Sequence, residues 1–210
     1  MVDGTSVLSL RAASERDLAG MARVHRSAYG AGHFLALLPE LTLVEYYRRF
    51  LGGGTHAVIA ESSSAIGIPP SLAGFIVFGA HIEPRIALFK REHRAAILRT
   101  AIAHPVISVR KATFSLFGNG ISDSPHEPAP WLLLSIAVNG RGKGVGSLLL
   151  KNMICVAIAN GQQRLGLYVR HSNFGAVNAY LRAGFRIIAS VADQYYMEVS
   201  LHPNDSTVTR

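Results

Sequence analysis

The stretch SIAVNGRGKGVGSLLL, residues 135–150, decides the fold of this chain. It continues an apolar run that begins at Trp131, and such a run predicts a strand buried on both faces up to Val138. Glycines at 140, 142, 144 and 146 follow, and a helix is predicted from Ser147 to Asn160. The first N–H groups of a helix have no partner within it and have partial positive charge, so this strand–turn–helix order favours a phosphate or pyrophosphate ligand.

The glycine spacing excludes two well-known phosphate loops. GxxxxGK followed by Ser or Thr does not occur, and GxGxxG fails from either Gly140 or Gly142. What remains is Arg141-x-x-Gly144-x-Gly146, with Lys143 as a second cation. A glycine-rich connection without a ligand is the alternative that the turn composition leaves open.

A second motif makes the pattern more specific. Asn173 and Ala176 are followed by Tyr180 and by Gly184-Phe185. In this order and spacing, the two motifs resemble the R/Q-x-x-G-x-G/A and N-x-x-A…Y-x-x-x-G-F patterns of the GNAT acetyltransferase superfamily. The close resemblance covers residues 131–201. It implies an α/β (α+β) fold with a mixed, mostly antiparallel central sheet flanked by helices, and an inserted helical segment around residues 83–130.

The resemblance also implies acetyl-CoA as the acetyl-donating co-substrate. The implied cofactor-binding residues lie on the strand, in the turn and on the second motif's helix: Ile136, Ala137, Val138, Arg141, Gly142, Lys143, Gly144, Val145, Gly146, Ser147, Asn173, Tyr180 and Arg182. By the same resemblance the backbone of Ile136 and Val138 would bind the pantetheine arm, and the amides of 141–147 would bind the pyrophosphate. Only Asn139 and Gly140 separate Val138 from Arg141, a shorter turn than the family usually has.

The remaining elements follow from apolar periodicity and from glycine and proline positions. They are strands at 7–11, 56–61, 72–80, 164–170, 186–191 and 195–201, and helices near 14–29, 41–51, 84–103 and 173–183. We therefore expect a single domain over residues 1–210, ending in a flexible tail at 202–210.

Composition excludes several classes of protein. The 210 residues are 49% hydrophobic and 16% charged, which suits a packed core rather than a disordered polymer. The one cysteine excludes an internal disulfide framework. No apolar run of about 18 residues and no signal-peptide pattern occurs, so we expect no membrane span and a cytoplasmic location. HExxH and CxxC are absent, and no metal site is predicted.

The net charge of +8 favours an anionic partner, such as a phosphorylated cofactor or an acidic acceptor. Residues 81–111 contain seven basic and two acidic side chains. These charges either guide an anion or form a solvated outer face. No motif for specific nucleic-acid binding is present.

The resemblance predicts an N-acetyltransferase in which the amine attacks directly in a ternary complex and Tyr180 is the general acid. The expected acceptor is the primary amine of a small molecule, such as an amino sugar or an amino acid derivative, rather than a protein N-terminus, and an anionic acceptor is among the candidates. The expected state is a monomer or homodimer. No base is evident; Glu61, His81, Glu83, His126 and Glu127 are candidates. Cys155, in the middle of an apolar helix, is expected in the core. The alternatives are a non-catalytic CoA-binding module and, less favoured, a basic nucleic-acid-binding protein.

Overall fold

The computed structural model describes residues 7–63, 71–105, 127–140 and 144–201. A seven-stranded sheet runs through them in the order β1-β2-β3-β4-β5-β7-β6. The strands are β1 Val7–Ala12, β2 Thr55–Ser63, β3 Ser71–Gly79, β4 Trp131–Val138, β5 Arg164–Arg170, β6 Arg186–Val191 and β7 Gln194–Ser200. Every neighbouring pair is antiparallel except β4 and β5, which are parallel. The predicted mixed, mostly antiparallel sheet is confirmed.

Helices cover both faces of this sheet. They are α1 Leu18–Tyr29, α2 Glu40–Arg48, α3 Ile82–Glu92, α4 Arg94–Ala103, α5 Val145–Ala159 and α6 Phe174–Arg182, with short 3-10 helices at Glu15–Asp17 and Phe34–Leu37. None of the helices within the described ranges is both long enough and apolar enough to cross a bilayer. The predicted tail, residues 202–210, lies outside the described residues, and the single-domain organisation stays a prediction.

The alternation of side chains along the strands divides the interior into two cores. On one face, Leu149 and Met153 of α5 pack with Leu167 of β5. On the other face, Met21 of α1 and Tyr47 of α2 pack with strand residues such as Phe75. The sheet is therefore buried from both sides where α1, α2 and α5 cover it, and this explains the continuous apolar run in β4.

The predicted helix 84–103 is two helices, because the chain leaves helical geometry at His93 (φ −102°, ψ 21°). Residues 106–126 of the predicted insertion lie outside the described residues.

The expectation that Cys155, in the helix after the glycine-rich turn, lies in the core is wrong. One side of α5 is buried, but Lys151, Cys155 and Ile158 are exposed. Cys155 is therefore not a core residue. An apolar composition did not reveal this, because apolar atoms make up a large share of any protein surface.

An ion-pair cluster fixes the first strand to the entrance of α1. Arg11 donates to both carboxylate oxygens of Asp17 at 2.8 Å and to Glu61 at 2.7 Å. Asp17 also accepts from the N–H of Ser14 at 2.8 Å, which is one contact of a capping box. The Arg11 guanidinium holds the pKa of the Asp17 carboxyl far below its usual range, despite the opposing effect of burial.

Gly79, at the end of β3, packs closely against the residues at the start of β2. Its φ is +136°, and an added Cβ would lie 2.4 Å from the carbonyl oxygen of Gly54. Gly79→Ala should therefore lower the free energy of unfolding by roughly 2–3 kcal/mol in urea titrations. Gly175→Ala, in α6 with open space around the new methyl, should stay within about 1 kcal/mol of the wild type. Equal stabilities for the two variants would contradict this account of Gly79.

Candidate active site

The centre of the sheet contains a gap between β4 and β5. The two strands pair only from Trp131–Leu165 to Leu133–Leu167. At that point β4 has a bulge: Phe78 pairs with Leu133 and Val77 with Ser135, so one residue of β4 has no counterpart on β3. A bulge bends its strand and increases the local twist. The second half of β4 therefore diverges from β5.

This divergence leaves one backbone edge of β4 free. The N–H of Asn139 donates to the carbonyl of Ala73 at 2.7 Å. Hydrogen-bonded pairs alternate along an antiparallel ladder, so Ala137 and Ser135 point their peptide groups towards β3. The peptide groups of Ile136 and Val138 consequently face the gap, where an extended amide-containing ligand would find both donors and acceptors.

A cavity of about 680 Å³ occupies the gap and reaches across the sheet to α1, α2 and α3. One side is lined by the free edge of β4 and by Asn173, Ala176 and Tyr180 of the α6 segment. The other side is lined mainly by rings: His25, Tyr29, His33, Tyr46, Tyr47 and Tyr168. The two sides are continuous, so two ligands can meet over the middle of β4.

The turn after β4 leads into the amino end of α5. Gly140 (φ 85°) and Gly144 (φ 70°) adopt the left-handed conformation that glycine tolerates. The first bond within the helix is the one from the N–H of Leu148 to the carbonyl of Gly144. The amides of Val145, Gly146 and Ser147 precede it, in the first turn, where N–H groups have no partner within the helix. The helix begins at Val145, two residues before the predicted start.

The other predicted cofactor residues differ in position. Arg141, Gly142 and Lys143 lie outside the described residues. Asn173 lines the cavity and is also the N-cap of α6, accepting from the N–H of Ala176 at 3.3 Å. Arg182 is exposed in the last turn of that helix and does not line the cavity.

Tyr180, the predicted acid, is 6% exposed and lines the cavity. Burial raises the pKa of its phenol well above 10, and the nearby Tyr29 adds to the shift. The hydroxyl is therefore protonated at neutral pH and available as a hydrogen-bond donor.

A chain of hydrogen bonds crosses the floor of the cavity, and sequence reasoning missed it. His25 Nδ1 lies 2.5 Å from the Tyr47 hydroxyl, which lies 3.0 Å from Ser135 Oγ. Ser135 Oγ is 3.3 Å from the Tyr29 hydroxyl, which donates to the carbonyl of Ile136 at 3.0 Å. Ser135, the only polar residue in β4, was the one available signal. Its partners lie about 90 to 110 positions away in sequence, so no local pattern identifies them.

The structure separates the candidate bases. Glu61 is bound to Arg11, His81 is exposed at the start of α3, and Glu127 is exposed near β4. His126 lies outside the described residues. Glu83 is the one carboxylate among the described residues that line the cavity. In the same described ranges, no group of three or more His, Cys, Asp or Glu residues is placed to hold a metal ion.

Comparison with known proteins agrees with this geometry. The model of the acetyltransferase (GNAT) family matches residues 121–185, a segment that contains both sequence motifs. This chain has a GNAT acetyltransferase fold. The fold predicted from the two motifs is confirmed, and the family match agrees with the predicted GNAT resemblance. No curated protein sequence matches the chain.

Solved GNAT structures share the fold at low identity. The N-acetyltransferase from Staphylococcus aureus matches at 16% identity and TM-score 0.59, over 94% of this chain and 100% of its own. Arabidopsis thaliana NAA60, solved with acetyl-CoA, matches at 15% and 0.59, over 93% and 99%. The PaiA N-acetyltransferase of Thermoplasma acidophilum, solved with coenzyme A, matches at 14% and 0.54, over 92% and 99%.

His25 predicts a pH dependence of stability. Burial, with repulsion from His33, lowers the pKa of His25 from 6.5 to about 3. Between pH 6.5 and about pH 3, His25 is therefore protonated in the unfolded chain and neutral in the folded chain. Stability from this group is full above pH 6.5 and is lost as the pH falls towards 3. Between pH 7 and pH 5 the loss should be about 2 kcal/mol.

Urea unfolding at both pH values tests this expectation. His25→Asn, whose amide can still donate to Tyr47, should lose less stability over the same interval. Identical pH dependences of the wild type and the variant would show that His25 is not responsible.

Proposed function

We propose that this protein transfers the acetyl group of acetyl-CoA to the primary amine of a small acceptor. The observation that supports this most strongly is the continuity of the free edge of β4 with the bare amides that begin α5. A pantetheine arm has peptide-like amides and is joined at one end to a pyrophosphate. An unpaired strand edge followed by a helix N-terminus offers complementary groups in the same order.

The donor subsite would use the residues of this edge and this helix end. The peptide groups of Ile136 and Val138 would bind the pantetheine, with Ala137 between them paired to β3. The amides of Gly144, Val145, Gly146 and Ser147 would bind the pyrophosphate. Arg141, Gly142, Lys143 and Arg182 keep their proposed cofactor role from the sequence alone.

Gly146 supports this subsite independently of the family motif. It is in the first turn of α5, where, among the residues that the structure describes, a Cβ would meet Val138 Cγ1 alone, at the ordinary distance of 3.9 Å. Alanine would suit a helix better than glycine by about 1 kcal/mol. The packing of the fold therefore leaves room for a side chain here, and a ligand that approaches the backbone closely explains why a small residue stands at this position.

The chemical step would take place between the two sides of the cavity. The neutral amine nitrogen would form the new bond to the thioester carbon, the carbon–sulfur bond would break, and the thiolate would take a proton. The acylated nitrogen would lose one of its own protons, which restores the proton given to the thiolate. Tyr180 would supply that proton or a strong hydrogen bond. A buried site destabilises a phenolate and a thiolate alike, so the high pKa of Tyr180 does not oppose the transfer as much as it would in water.

The acceptor side favours direct attack. A lysine-like amine with a pKa of about 10.4 must lose a proton at a cost of roughly 4–5 kcal/mol at pH 7. Glu83 places a negative charge on the cavity wall, where it would draw an ammonium ion. Cys155 is exposed on α5 and does not line the cavity, which argues against a covalent acetyl-cysteine.

The cytoplasmic location and the monomer-or-homodimer state remain predictions.

Gly146 provides the test of cofactor binding. Acetyl-CoA should raise the Tm of the wild type, because it binds only the folded chain. Gly146→Val should weaken the apparent affinity for acetyl-CoA at least tenfold, since the side chain would occupy the pyrophosphate position. The rise in Tm at a given acetyl-CoA concentration should be correspondingly smaller. The matched control is Gly175→Val, also at an open helical position, which should retain the full rise. An absent Tm shift for the wild type at millimolar acetyl-CoA would sink the proposed function.

Tyr180 provides the test of catalysis. Tyr180→Phe should lower kcat at least tenfold and leave the KM for acetyl-CoA nearly unchanged, because the hydroxyl acts on the departing sulfur. Tyr195→Phe, outside the cavity, is the control. Thiol release with a panel of amines is the measurement. Cofactor binding without turnover on any amine would favour the non-catalytic CoA-binding module.

A further inference from the structure

We propose that Tyr29 binds the acceptor amine through its hydroxyl oxygen, and that the chain from His25 through Tyr47 and Ser135 fixes that oxygen as a hydrogen-bond acceptor. The substrate class is a primary amine on an aromatic or aliphatic body. This inference rests on the proposed function and assigns the acceptor end of the same cavity.

The direction of this chain of hydrogen bonds, from His25 to Tyr29, follows from its last acceptor. The carbonyl of Ile136 can only accept, so the single hydroxyl hydrogen of Tyr29 is donated to it. Between Ser135 and Tyr29 the serine is then the donor. Its hydrogen is used, so Tyr47 donates to Ser135, and His25 Nδ1–H donates to Tyr47. Every hydrogen in the chain has one assigned acceptor.

This direction determines what Tyr29 offers to a ligand. Its oxygen accepts from Ser135 with one lone pair and has a second lone pair left. Tyr29, Ser135 and Ile136 all line the cavity. With its hydrogen committed, the Tyr29 hydroxyl accepts a hydrogen bond from an N–H group and gives none. Burial raises the pKa of this phenol above 10, so it stays a neutral acceptor.

The oxygen lies where the acceptor nitrogen must come. Tyr29 bonds to the carbonyl of Ile136, on the free edge of β4. Tyr180 lines the same cavity as Tyr29. The amine would therefore be bound between the donor's strand edge and the proposed acid.

The surroundings of Tyr29 indicate the body of the substrate. Its ring stacks on His25 with centroids 4.3 Å apart and lies 4.7 Å from His33. Leu35 and Ile86 add aliphatic surface. Arg170 is the one arginine or lysine among the described lining residues, and its guanidinium donates to the carbonyl of Gly32. The low pKa of His25, about 3, keeps that ring uncharged. Aromatic rings and aliphatic groups favour an apolar body over a phosphorylated one.

Steady-state kinetics with 2-phenylethylamine at saturating acetyl-CoA test the assignment. Tyr29→Phe keeps the ring and removes the acceptor oxygen, so the KM for the amine should rise about tenfold while the Tm shift given by acetyl-CoA is retained. Ser135→Ala should raise that KM about threefold, and Ser135→Thr, which keeps a hydroxyl, should restore it. Tyr195→Phe should behave as the wild type.

The outcomes separate this inference from the proposed function. An unchanged amine KM in Tyr29→Phe overturns the role of Tyr29. A wild type that binds acetyl-CoA but acetylates glucosamine 6-phosphate at least tenfold better in kcat/KM than 2-phenylethylamine overturns the substrate class. A wild type that does not bind acetyl-CoA overturns the proposed function itself. The opposite preference, for 2-phenylethylamine by at least tenfold, supports the inference.

Discussion

The structure depends on how β4 is paired. On one side β4 is bonded to β3 almost along its whole length, whereas on the other it follows β5 for only three residue pairs. Beyond Leu133 its backbone groups must find other partners, because buried N–H and C=O groups are costly when unpaired. Tyr29 provides one of them, at the carbonyl of Ile136. Because β4 and β5 diverge at the centre of the sheet, a peptide-like ligand can bind to backbone groups there that have no strand partner.

The same geometry explains why polar groups are tolerated in an apolar interior. Ser135, Tyr47 and His25 are all nearly inaccessible to solvent, yet each is hydrogen-bonded to the next. A buried network of this kind is stable when its members are satisfied, and it holds each side chain in one orientation. Because it ends at a backbone carbonyl, its direction is fixed by the strand and does not depend on an ionised group.

Most of the described basic residues of α3 and α4 lie outside the cavity. Lys90, Arg91, Arg94 and Arg99 are exposed on α3 and α4 and do not line the cavity. Arg85, by contrast, donates to the carbonyls of Arg49 and Gly53 and so ties α3 to the turn before β2. Net charge describes the outer field of a protein, whereas acceptor recognition depends on the few groups inside the cavity.

The sequence by itself determined the order of strands along the chain, the start of α5 after a glycine-rich segment and the GNAT-like fold. These features depend on local periodicity and on glycine and proline positions, which a linear pattern records directly. Trp131–Val138 and Arg164–Arg170 have the predicted bounds for this reason. Only the tertiary structure decided the exposure of Cys155, the break at His93 and the chain from His25 to Tyr29. Each of these depends on which distant residues pack together, and side-chain partners about a hundred positions apart leave no periodic trace in a single sequence.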